Sequence, residues 1–553
     1  MEDDNSIDRT GASDFVIQQI LDKSEYYNRI MDSLIPFKEK MEHTQDEESL
    51  LKLSNELQLQ LNRMSKLKEY AGYIHELFRI IPSRSERLQQ AEAYFYQGKF
   101  PEMDEVLDAT KIRAEIERQN EIRFSAKDKE QEQKARIRTD HKSYELIVKA
   151  FYRYTFIEYP KWYEEVFDLL RDAEAFSTNV QAMYELGAYL KDTDEREWAF
   201  QLLNDAYVIS GGIEGEIGRL YEAKSLWAMG ILSRRENDYP EAIEYLRKSV
   251  KIYTDLSETN PAEYLPMTSN MLTVLGDCHT FSKNFSVALV VFEEAVNIRR
   301  KLALYGNWEE SINLADVLDK LATVHLCLGR FGEAVPLYEE ALRIKEGHIE
   351  KNLYIILESK ASTLYNLAIT HFAAQEYEKS IRRTKEELVI RKQVQDIDPF
   401  GQLPLLARSR ALLGDLYLYT DRPEDAIRER EKVVKLYKLL AKCSGDKYLP
   451  NLGEAVNHCS NLYFRMKSYG KYFLSLQEAL EIFRKLATSD PEEYLPTVGC
   501  LLGNVCHYYE RVAPNKKKAV ENARESYKIL SSIERSETAE LAFTHVKRII
   551  GEV

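Results

Sequence analysis

A small residue returns every 46 positions along the chain, at Gly230, Gly276, Ala322, Ala368, Gly414 and Ser460, with Gly503 following after 43 residues and Gly187 lying 43 before. An apolar residue stands one before the rungs (Met229, Leu275, Leu321, Leu367, Leu413), and a small one stands twelve after them (Ala242, Ala288, Ala334, Ser380, Ala426). Self-similarity at such a period decides the architecture before any single residue does. One unit cannot bury its apolar face alone, so neighbours must stack into an array. The spacing predicts an all-α chain of helical hairpins whose small residues let two helices cross closely.

Two consecutive units show the pattern in step. Leu272, Leu275, Gly276 and His279 are followed by Phe285, Ala288, Phe292 and Ala295, and Leu318, Leu321, Ala322, His325, Gly329, Phe331, Ala334, Tyr338 and Ala341 repeat it. These residues resemble the tetratricopeptide repeat family, whose usual period is about 34 residues. The extra length coincides with Asn260-Pro261-Ala262-Glu263-Tyr264-Leu265-Pro266, which reappears at Lys447 to Pro450 and Asp490 to Pro496, with a partial copy at Leu403-Pro404. Long-period members, many of them bacterial, carry a similar Tyr-Leu-Pro joint, read here as a linker whose prolines end one helix and preset the next.

The resemblance implies a right-handed α-solenoid preceded by an N-terminal helical region, with the first helix of each hairpin lining a concave groove. Carried over position by position, it assigns partner binding to Trp227, Arg234, Leu326, Tyr365, Phe372, Leu418, Asn457, Asn461, Phe464 and Asn504. Leu326, Phe372, Leu418 and Phe464 hold one groove position in four consecutive repeats and form an apolar stripe. Either a partner segment inserts side chains there, or the hairpins close over the stripe as core. The Lys and Asn clamp that holds a C-terminal carboxylate in some relatives is not reproduced. The implied function is a non-catalytic scaffold or adaptor for a protein or peptide ligand. The alternative is a regulatory or sensor subunit, either a peptide-responsive regulator or a protease-associated one.

Three segments are expected: a disordered 1–14, an N-terminal helical bundle with degenerate repeats over 15–180, and the solenoid over 181–553. Ala91, Tyr94, Gly98, Phe100, Met103 and Leu107 fit one degenerate repeat, and the leucines from Leu50 to Leu61 are partly placed for a hairpin. No apolar run approaches the ~18 residues of a membrane span, and the acidic N-terminus lacks a secretory pattern, so a cytoplasmic location is expected. The net charge of -15 argues against nucleic-acid binding, which neutralises phosphates with Lys and Arg. The strongest local exception runs from Lys111 to Lys142. There Arg113, Arg118, Arg123, Arg138 and others are interleaved with acids along one expected helix, as on a solvated face.

Chemistry is poorly supported. His279, His325 and His371 recur one per repeat, too far apart to converge on an ion and better placed as packing residues. Cys459 and Cys506 fall at internal positions and read as inert thiols, and no zinc spacing links Cys278, His458, Cys459, Cys506 and His507. Gly211, Gly212, Gly215 and Gly218 lack the preceding strand of a phosphate loop and read as a joint between repeats. No enzyme activity, cofactor or metal is expected.

Overall fold

In six hairpins the first helix ends on one backbone device. Asn237, Lys283, Gly329, Gln375, Asp421 and Lys467 all have positive φ, between 56° and 70°, and each stands 46 residues from the next. The N–H of Lys283 bonds the Thr280 carbonyl at 2.9 Å, and the following N–H, of Asn284, reaches back to His279 at 2.8 Å. Arg330 to His325, Glu376 to His371, Arg422 to Tyr417 and Ser468 to Tyr463 repeat the longer bond. This double closure satisfies carbonyls that a helix end otherwise leaves orphaned.

The computed structural model describes residues 11–24, 27–29, 31–32, 67–68, 71–72, 74–75, 78, 85–156, 163–176, 180–191, 196–304, 308–350, 353–395, 401–532 and 536–551, and no strand occurs among them. From Val180 onward the helices form eight consecutive pairs. The first six are Val180–Leu190 with Arg196–Ser210, Glu216–Arg235 with Tyr239–Thr259, Pro261–Phe281 with Phe285–Ala303, Trp308–Cys327 with Phe331–His348, Leu353–Ala373 with Tyr377–Gln395, and Gln402–Tyr419 with Pro423–Ser444. The last two are Leu449–Arg465 with Tyr469–Ser489 and Pro491–His507 with Lys516–Leu530, and a closing helix, Glu537–Ile550, packs on the final pair. By contact the chain divides into two units, Met1–Ile344 and Lys345–Val553.

The small residues mark close crossings within pairs. A Cβ on Gly276 would stand 2.7 Å from the Phe292 ring, and one on Gly230 would stand 2.8 Å from Leu246 Cγ. Ala288 and Ala334 are fully buried where the second helices cross.

Two copies of the Tyr-Leu-Pro triplet lie inside helices, whereas at the third Tyr448 ends the short 3-10 turn Gly445–Tyr448 and Leu449-Pro450 open the next helix. Pro261 and Pro491 open their helices, where a missing N–H costs nothing, but Pro266 and Pro496 lie inside the same helices. Tyr264 is then free to turn inward, where it packs edge-on against Tyr253 at 6.1 Å and its hydroxyl donates to Glu216 at 2.6 Å.

In the first unit a continuous apolar core runs from Ile17 through Phe95, Phe151, Leu170 and Leu203 to Leu232. The first helix begins at Gly11. Residues 1–10 and the leucines from Leu50 to Leu61 lie outside the described residues. The basic stretch from Lys111 to Lys142 corrects the sequence reading: it is two helices, Ala109–Phe124 and Lys129–Phe156, packed on each other. The Ser125 hydroxyl closes the first by donating to the Glu121 carbonyl at 2.7 Å, and the Asp128 carboxylate caps the second by accepting from Gln131 N at 2.8 Å. Gly211, Gly212 and Gly215 form the turn before Glu216, with Gly215 at φ 97°, and a Cβ on Gly218 would collide with the Ile213 carbonyl.

Candidate partner-binding surface

Leu326, Phe372, Leu418 and Phe464 share one backbone role, which Arg234 and Thr280 hold in the two hairpins before them. Each offers its carbonyl to the left-handed residue of its own turn: Gly329 to Leu326 at 2.9 Å, Gln375 to Phe372 at 2.9 Å, Asp421 to Leu418 at 3.2 Å and Lys467 to Phe464 at 3.0 Å. They therefore sit in the last turn of the first helix of their pairs. Leu326, in the first unit, is half-buried, as are Phe372 and Leu418 in the second, and Phe464 is 37 % exposed.

In the second unit the rings of this stripe are clasped by aromatics of their own hairpin and the next. Phe372 meets Tyr419 edge-on at 5.2 Å and Tyr377 at 5.9 Å, while Tyr377 stacks on Tyr419 at 5.2 Å. Phe464 meets Tyr472 at 5.1 Å and His507 at 5.8 Å. Each such pair contributes about 0.5–1.5 kcal/mol beyond its buried area. One side of the stripe thus packs hairpin on hairpin, and the other remains in solvent, with Tyr419 61 % exposed beside it.

The charged and polar positions divide sharply. Arg234 lies 4.0 Å from the Asp277 carboxylate, which Lys320 also contacts at 2.7 Å. The Arg408 guanidinium sits 4.0 Å over the Tyr365 ring, and Arg430 pairs with Asp415. Trp227 is half-buried, its indole N–H enclosed without an acceptor. Asn457, Asn461 and Asn504 are different, because none of their carboxamides is bonded to a described residue and the Asn457 oxygen is enclosed without a donor. Asn457, Asn461 and Phe464 follow one another at i, i+4 and i+7 on helix Leu449–Arg465, hence on one face.

Of the groups weighed for chemistry, His279, His325 and His371 are buried, and burial holds each imidazole below its ordinary range. Burial likewise pushes the Cys278 thiol up to about 11 and those of Cys459 and Cys506 up to about 12, far from a reactive thiolate. One group among the described residues has the make-up of a metal site: the donor atoms of His507, Glu510 and His545 lie within 4.8 Å of one another. The Glu510 carboxylate is already engaged by Arg548 at 2.9 and 3.0 Å, which opposes a cation there. His545 and the exposed Tyr419 were not legible as site residues in the sequence. A separate helix brings His545 to His507, and Tyr419 takes its meaning from stacking on Tyr377.

A family profile described as Tetratricopeptide repeat matches residues 314–349. No curated protein matches the chain. Among solved structures it is similar to BtubC (BKLC) from P. vanneervenii, at 20% identity over 45% of this chain and 91% of that one, with a TM-score of 0.37. It is also similar to the apo form of RapI, at 15% identity over 56% of this chain and 99% of that one, with a TM-score of 0.38. The C-terminal part of a TPR repeat-containing protein from Cytophaga hutchinsonii is 14% identical over 54% of this chain and 95% of that one, with a TM-score of 0.36.

Proposed function

We propose that this chain, a tetratricopeptide-repeat protein, is a scaffold that holds an extended segment of a protein partner on the first helices of its second-unit hairpins. The observation that carries the reading is the set Asn457, Asn461 and Asn504 beside the partly exposed Phe464. An extended peptide offers backbone N–H and C=O groups that need partners, and unengaged carboxamides supply both a donor and an acceptor. The aromatic stripe supplies side-chain anchors, and large rings of this kind dominate binding energy in many interfaces.

The test places a photo-crosslinking residue at Asn461 of the full-length chain and identifies the captured segment by mass spectrometry. Binding of that segment is then measured for Phe372→Ser/Phe464→Ser. The double variant should stay helical and lose about 2 kcal/mol or more of affinity. Unchanged affinity in a folded double variant, or crosslinks confined to surfaces away from these helices, rejects the surface. Unfolding of the double variant assigns the stripe to the core, and Asn457→Ala/Asn461→Ala then decides whether the surface binds at all.

A further inference from the structure

A cavity of about 460 Å³ opens in the first unit, walled by helices Ala109–Phe124 and Lys129–Phe156 and by Ser85. Two carboxylates, Glu115 in the wall and Glu145 bonded to the wall residues Ser85 and Lys142, are already neutralised. Glu145, with no exposed surface, accepts from Ser85 Oγ at 2.5 Å, Arg87 at 2.7 Å and Lys142 at 2.8 Å. Glu115 accepts from Arg87 at 2.6 Å and Lys142 at 2.9 Å, which holds its carboxyl below the usual range although burial opposes the shift. One guanidinium and one ammonium therefore balance two carboxylates.

What remains is a surplus. Arg118 and Arg138 line the same cavity, and neither forms an ion pair or hydrogen bond with another described residue. His141, also in the wall, is held below the ordinary imidazole range by burial and by the Lys142 ammonium, so it adds no charge near neutrality. Gln119 completes the lining, its side-chain oxygen enclosed and without a donor. Two unmatched positive charges thus share one concavity in a chain of net charge -15.

We propose that this cavity binds the phosphate monoester of a small hydroxylated molecule. The two guanidiniums take the phosphate, and the Gln119 oxygen accepts from a hydroxyl of the group that carries it. A phosphate monoester bears about -1.5 to -2 charge at neutral pH and offers three strong acceptors, which matches two planar forks of donors. A single carboxylate would leave one guanidinium unmatched. The volume falls within the ~300–1,000 Å³ of small-ligand sites and exceeds what a phosphate alone fills. A nucleic-acid track is disfavoured, because a polyanion needs a run of cations and the flanking positions here alternate with acids. This site is independent of the partner-binding surface on the second unit.

Calorimetry on the full chain tests it with three probes: glycerol 3-phosphate, inorganic phosphate and a phosphoserine peptide. Glycerol 3-phosphate is expected to bind more tightly than inorganic phosphate, and Arg118→Gln and Arg138→Gln should each weaken it about tenfold or more. Thermal melting should be unchanged in both variants, since neither side chain holds another. Gln119→Leu should weaken glycerol 3-phosphate and leave inorganic phosphate unaffected. Absence of glycerol 3-phosphate binding, equal affinity for inorganic phosphate, or unchanged affinity in both Arg118→Gln and Arg138→Gln overturns the proposal. Binding of the phosphopeptide alone also overturns it, by assigning the cavity to a phosphorylated protein.

Discussion

Glu387 and Arg391, four residues apart in helix Tyr377–Gln395 and both without exposed surface, form an ion pair inside the second unit. Ser409 donates to Glu387 at 2.7 Å and Arg391 donates to Gln402 at 3.1 Å, yet Glu387 Oε2 and Arg391 Nη2 remain unbonded. Burial outweighs the Arg391 charge and pushes the Glu387 carboxyl above its ordinary range. The repeat itself supplies the apolar alternative. One period on either side, position 387 is filled by Ala341 or Val433, and position 391 is followed by Tyr437 and then Phe483. Glu387→Ala should therefore cost about 3–5 kcal/mol by stranding a buried guanidinium, whereas Glu387→Ala/Arg391→Tyr should recover most of the loss. Urea unfolding decides it, and a double variant no more stable than the single would show that the pair itself stabilises the unit.

The left-handed turn residue gives an independent handle on stability. Lys283 has φ 60° and Gly329, its counterpart one hairpin later, has φ 70°. An L-side chain in that region costs about 1–2 kcal/mol, partly offset by the lower chain entropy of a non-glycine residue when unfolded. Lys283→Gly should raise stability by about 0.5–1 kcal/mol, and Gly329→Ala should lower it. Opposite signs in thermal melts confirm the turn geometry, and a destabilising Lys283→Gly would refute it.

The hairpins were legible in the sequence because small residues, their apolar neighbours and aromatics recur in one register, each reporting a local steric demand, whereas the left-handed turn position, filled by Asn, Lys, Gly, Gln, Asp and Lys, left no such mark. At Tyr264 and Tyr494 the Tyr-Leu-Pro segment misled because proline is a strong breaker in isolation, whereas near a helix start it removes little. The break at Ser125 to Asp128 was missed for the opposite reason. Neither residue is a breaker, and each acts through one side-chain bond to the backbone that composition does not register. That miss concealed the Arg118 and Arg138 cavity, since two arginines twenty residues apart on one expected helix come to line one cavity only once the chain folds back. The surroundings of Phe372 were illegible because Tyr377 and Tyr419 reach it from two different helices.

Close crossing within a pair predicts an asymmetry between adjacent positions. Ala334 has no exposed surface and Glu333 is exposed. Ala334→Arg must displace neighbours in a filled interior and should cost at least about 1–3 kcal/mol, while Glu333→Arg should lie within about 0.5 kcal/mol of the parent. Equal melting temperatures for the two variants would contradict the register of helix Phe331–His348.

His279 and His325 couple the repeat to pH. Both are buried, each has an Nδ1 enclosed without a partner, and burial lowers both imidazoles from the ordinary value of 6.5. The unfolded chain takes up protons near 6.5 that the folded chain refuses, so their contribution is present above that pH and is lost as the pH falls below it. Tyr417 and Tyr463 occupy the same turn position in later hairpins, where their carbonyls accept the same backbone bond. His279→Tyr/His325→Tyr should consequently leave the melting temperature near pH 7.5 little changed and shrink its fall between about pH 7 and 5.5. An acid fall as steep in the double variant as in the parent would place the proton uptake on other groups, with His371 and His545, both also lowered by burial, as the next to replace.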